Sequence, residues 1–178
     1  MDLRAVSKRY LKEFVYGAID GTVTTFAIVA GAVGANLPSS IVLVLGLANV
    51  LADGFSMAAS NFLSERSART LQHGIAVSDD VRAPIRTAFT TFVSFITIGF
   101  IPLLPFAAAF AFPRIVHYQF ELSIVLTALA FIGIGAVRGI VTRHKTLQSS
   151  LETLFVGGLA ALISFAVGYF LRDLAVGI

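Results

Sequence analysis

Two aspartates and a methionine stand inside stretches of this chain that are otherwise apolar. In GLANVLADGFSMAASNFLSER, residues 46–66, the residues Asn49, Asp53, Ser56, Met57, Ser60, Asn61 and Ser64 recur at offsets of three and four. That spacing places them all on one helical face. In AIDGTVTTFAIVAGAVGA, residues 18–35, Asp20 and Thr24 form a shorter stripe with Gly17 and Gly21. Hard carboxylate oxygens beside a soft thioether suit a borderline divalent ion, and first-row transition metals fit that description better than magnesium or calcium. The same oxygens accept protons, so proton and metal compete for one site and antiport becomes possible. The alternative is structural: Asp20 joins two helices by a hydrogen bond, Asp53 caps a break at Gly54, Met57 fills space, and the chain is an assembly subunit of a membrane complex.

The elements that must position these residues are membrane-spanning helices. Of the 178 residues, 57% are hydrophobic and 13% charged, and the mean hydropathy is +0.88. Such a composition lies outside that of ordinary soluble domains. About 20 apolar residues cross a bilayer as a helix, and five segments qualify, at residues 14–35, 41–63, 88–110, 120–140 and 151–171. The expected fold is all-α, one five-helix transmembrane domain over residues 1–178, with a short cytoplasmic linker at 64–86. Asn36–Ser40, NLPSS, is a turn that makes the first two helices an antiparallel hairpin. Pro102 and Pro105 must kink or end the third helix. An aspartate at a helix centre costs about 2.5–3.5 kcal/mol on insertion scales, so Asp20 and Asp53 need partners, water or a proton.

Charge sets the expected orientation. Eleven of the 13 Lys and Arg residues fall in the N-terminal arm, the 64–86 linker and the stretch from Arg138 to Lys145, leaving Arg114 and Arg172 for the other side. The positive-inside rule then puts the N-terminus in the cytoplasm and the C-terminus outside. The basic arm resembles the start of a signal peptide, but the apolar run from Phe14 to Ala35 is 22 residues long, which reads as a retained first span. Short loops and no targeting signal favour a bacterial-type plasma (inner) membrane. Basic residues at helix ends do not make a nucleic-acid face, and the absence of cysteine removes thiolate metal sites and Cys nucleophiles. With three histidines scattered in linkers and no elbow, zincin or P-loop motif, enzyme chemistry is not expected. Five helices wall a pore thinly, and an isologous homodimer would double every ligand at a shared axis.

YGAIDGTVTTFAIVAGAVGA and GLANVLADGFSMAASNFLSER, with GFIPLLPF, GAVRGIVT and SSLETLFVGGLAA, resemble the vacuolar iron transporter family, in the manner of its nodulin-like branch that lacks the cytoplasmic metal-binding insertion. The resemblance implies a five-span homodimer, embedded in the lipid bilayer, that moves Fe2+ and often Mn2+ out of the cytosol in exchange for protons. Its path would run between the two first helices, where the family's aspartate and methionine match Asp20 and Met57. The metal is cargo, and no permanently bound cofactor is implied. The expected metal residues are Asp20, Met57, Asp53 and Asn49, with Thr24, Ser56, Ser60, Asn61 and Glu65 along the path. Members tend to have an acid where this chain has Asn61, so Glu65 and Glu152 become the candidates for loading metal from the cytoplasm.

Overall fold

The computed structural model describes residues 3–73 and 82–176. Among them all regular structure is helical: α1 (Leu3–Gly34), α2 (Ser39–His73), α3 (Arg82–Gly99), α4 (Leu104–Ala111), α5 (Gln119–Thr142) and α6 (Thr146–Val176), with 3-10 turns at Ile101–Leu103 and Pro113–Tyr118. Five helical segments are long and apolar enough to cross a bilayer, Tyr10–Gly34, Ser39–Leu71, Arg82–Ala111, Pro113–Thr142 and Thr146–Leu174. The expectation of five spanning helices is therefore borne out.

The helices outrun the apolar stretches that reveal them. Residues 64–73, read from sequence as linker, continue α2 instead. Thr70 Oγ1 donates to the Arg66 carbonyl and Arg69 pairs with Glu65 one turn back at 3.2 Å, so polar residues at helical spacing prolong a helix that hydropathy alone would end. α3 likewise starts at Arg82. The middle of the expected linker, residues 74–81, lies outside the described residues.

α1 runs through the centre and touches α2, α3, α5 and α6. Glycine permits the closest of these approaches. A Cβ on Gly21 would sit 2.5 Å from the Phe95 carbonyl oxygen on α3, and one on Gly99 would sit 2.9 Å from Gly21 itself. At the far end of α1, Ser164 of α6 donates a 2.5 Å hydrogen bond to the Ala27 carbonyl. Phe26, Val29, Val42, Val50, Leu103 and Phe106 form the core between these helices.

Two breaks have local causes. The α1–α2 turn closes as a Schellman motif: Asn36 takes φ 58°, Leu37 N–H reaches the Ala32 carbonyl and Asn36 N–H the Val33 carbonyl, both at 2.9 Å. Asparagine tolerates the left-handed conformation this requires. The third span divides at Gly99, where Pro102 and Pro105 cannot supply ladder N–H groups. A 3-10 turn follows, then α4. The Pro102 carbonyl left over is satisfied by a 2.7 Å bond from Ser123 Oγ on α5.

Candidate functional site

The N-terminal half of α1 and the C-terminal half of α2 lie side by side because the hairpin is antiparallel. Glu13 falls seven residues before Asp20, two helical turns away, and so shares its face. Between these two half-helices opens a cavity of about 400 Å³, lined by Lys12, Glu13, Tyr16, Met57, Ser60, Asn61, Ser64 and Glu65. It therefore offers two carboxylates, a thioether, an amide and three hydroxyls at the end of the bundle that carries most of the basic residues.

Asn61 fixes the geometry of this vestibule. Its Nδ2 donates to Glu13 Oε2 at 2.6 Å and to Thr91 Oγ1 of α3 at 3.3 Å. One amide thus ties three helices together and leaves its own carbonyl oxygen as a further acceptor. Glu65, one turn further along α2, accepts from Arg69 Nε at 3.2 Å.

The structure brings Met57, Ser60, Asn61 and Glu65 into this one cavity, and adds Glu13, Tyr16 and Lys12, which the sequence reading did not single out. Asp20 stands one turn beyond Tyr16 on α1 and does not line the vestibule. Its carboxylate and that of Asp53 are close enough to feel one another's charge. Asp53 and Ser56 are exposed on the flank of α2, in line with the exposed Ser60, whereas Val50 and Gly54 on the neighbouring face are buried. Thr24 spends its hydroxyl proton on the Asp20 carbonyl, 2.8 Å away, so only its oxygen lone pairs remain for a ligand. Asn49 is partly buried and its Nδ2 finds no hydrogen-bond partner among the described residues. Glu152, the other loading candidate, is instead an ion-pair partner of Arg138.

Among the described residues, no three His, Cys, Asp or Glu side chains gather in one place. A coordination shell built here must draw on the thioether, amide and hydroxyl donors, on water, or on groups from outside the single chain. That donor mixture suits an ion that is still partly hydrated in the vestibule.

The VIT family profile matches residues 11–75 and 69–169 of the chain. Among similar proteins, Vacuolar iron transporter 1 of Arabidopsis thaliana is 26% identical over 215 aligned residues, covering 88% of this chain and 84% of that protein. The Vacuolar iron transporter of Plasmodium falciparum is 21% identical over 230, covering 94% and 84%. A shorter match of 58 residues to the Vacuolar iron transporter of Toxoplasma gondii reaches 53% identity, over 33% of this chain and 19% of that protein.

Proposed function

The chain belongs to the VIT family, and from that premise we propose that it is a transporter carrying a divalent transition-metal ion, Fe2+ first and Mn2+ as a second cargo, out of the cytosol in exchange for protons. It is an integral, multi-pass membrane protein with five spanning helices. In the proposed arrangement the N-terminus is cytoplasmic, the C-terminus lies outside, and two copies form an isologous dimer.

The observation that carries the reading is the vestibule: Met57 meets Glu13 and Glu65 in one polar cavity between α1 and α2, below the level of Asp20. An incoming ion sheds part of its water against Glu13 and Glu65 and reaches the thioether of Met57. It then passes up the α1 stripe to Asp20, with Asp53 of α2 as a further carboxylate on the path. Returning protons occupy the same carboxylate oxygens, which couples the two flows.

The dimer is supported by what a single chain leaves bare. Asp53 and Ser56 are exposed near the middle of the Ser39–Leu71 span, where a carboxylate against lipid is costly. A second copy on a two-fold axis would cover them and double the ligand set at the level of Asp20. Nothing in this route needs a covalent step, so no enzyme activity is proposed.

The test is flux in proteoliposomes, with Fe2+, Mn2+, Co2+, Zn2+ and Ca2+ supplied in turn and internal pH recorded. Transition metals should move well ahead of Ca2+, with a proton current in the opposite sense. Equal Ca2+ flux would overturn the proposed selectivity, and metal flux without a pH change would overturn the coupling.

A further inference from the structure

A second cavity adjoins the vestibule around α1 and shares Lys12 and Tyr16 with it. This cleft of about 360 Å³ runs between α1 and α5, with Leu11, Val15, Ile19 and Val141 along its walls and Lys12 and Arg138 among its lining. Leu11, Val15 and Ile19 sit about 100–180° around α1 from Asp20 at 100° per residue, so the apolar wall of the cleft faces away from the polar stripe, while Lys12 and Tyr16 border both cavities. The flank of α5 beside it, Val137, Ile140 and Val141, is exposed at 37%, 69% and 37%. In a spanning helix such a flank meets acyl chains. Its two cations lie at the end of the bundle where most basic residues cluster, the level at which lipid headgroups begin.

We propose that this cleft holds an anionic phospholipid, with its phosphate against Lys12 and Arg138 and an acyl chain along Leu11, Val15 and Ile19. The charge balance supports it. Arg138 is paired with Glu152 of α6, and Lys12, at the border with the vestibule, brings a second positive charge to a trough whose own lining is otherwise mostly apolar and holds no acidic side chain. A phosphodiester supplies the missing negative charge and its chain supplies the apolar filling. Basic clefts between spanning helices recognise anionic headgroups in this way. A zwitterionic lipid fills the trough but brings its own cation to the phosphate, so the site discriminates between headgroups.

The test titrates the purified full-length protein with phosphatidylglycerol or phosphatidylcholine and counts retained lipid by native mass spectrometry. Phosphatidylglycerol should be held more tightly, and Arg138→Ala or Lys12→Ala should each weaken its retention about fivefold. Glu152→Ala breaks the same ion pair but frees Arg138, and should strengthen retention. Arg143→Ala, which removes a cation from the adjoining exposed turn, should change nothing. Phosphatidylcholine held equally well would overturn the proposal. So would Arg138→Ala and Glu152→Ala shifting retention in the same direction, which marks a purely structural ion pair, or Arg143→Ala matching Arg138→Ala, which marks a diffuse surface potential.

Discussion

Asn61 on α2 holds Glu13 on α1 by a 2.6 Å hydrogen bond, and the same amide reaches Thr91 of α3 at 3.3 Å. An uncharged residue thereby positions the carboxylate proposed to meet an ion first, at a point where the resemblance led one to look for an acid. Three experiments follow from this arrangement and from the aspartate beyond it.

Asp20→Asn preserves size and hydrogen-bonding capacity while deleting the charge. Taking one partner from a charge pair in a low-dielectric site costs about 3–5 kcal/mol, so metal flux in proteoliposomes should fall by about a hundredfold or more. Dimer content by size-exclusion chromatography should be unaltered. Undiminished flux would leave only the structural role for this aspartate.

Glu13→Gln keeps the contact with Asn61 but weakens the vestibule's hold on a cation. A charge-assisted contact is worth about 1.5–3 kcal/mol, so KM for Fe2+ should rise about tenfold or more while the maximal flux stays within about twofold. A fall in maximal flux at constant KM would place Glu13 outside the loading step.

Asn61→Asp turns the amide donor into a carboxylate facing Glu13. Like charges at that distance repel, so in chelator the variant should melt several degrees below the parent, given about 2–4 °C per kcal/mol for a chain of this size. Millimolar Mn2+ bridges the two carboxylates and should close or reverse the gap. Equal Mn2+-induced Tm shifts in parent and variant would show that no ion sits between these residues.

Much of the architecture was legible because the bilayer demands it: uninterrupted apolar runs gave five helices, and Asn36 with Pro38 marked the hairpin turn. The site was legible in part. Met57, Ser60, Asn61 and Ser64 were found by their three-and-four spacing on α2, Glu65 only as a loading candidate from the resemblance, and all five line one cavity. Glu13 was missed because it precedes the apolar run and was counted with the basic arm, although its offset of seven from Asp20 would have placed it on the same face. The extension of α2 to His73 was hidden for a similar reason, since helix continuity there rests on polar side chains rather than hydropathy. Sequence periodicity also could not show that Asn61 points at Glu13, which depends on the relative rotation of two helices.

That relative rotation is also constrained at the opposite end of the bundle. The Schellman closure at Asn36 leaves almost no slack between α1 and α2, so the turn acts like a keyed shaft coupling. One extra residue there would index α2 by about 100°, swinging Met57 and Asn61 out of mesh with Glu13 across the full thickness of the bilayer. The alignment of the vestibule thus depends in part on a handful of atoms on the far shore.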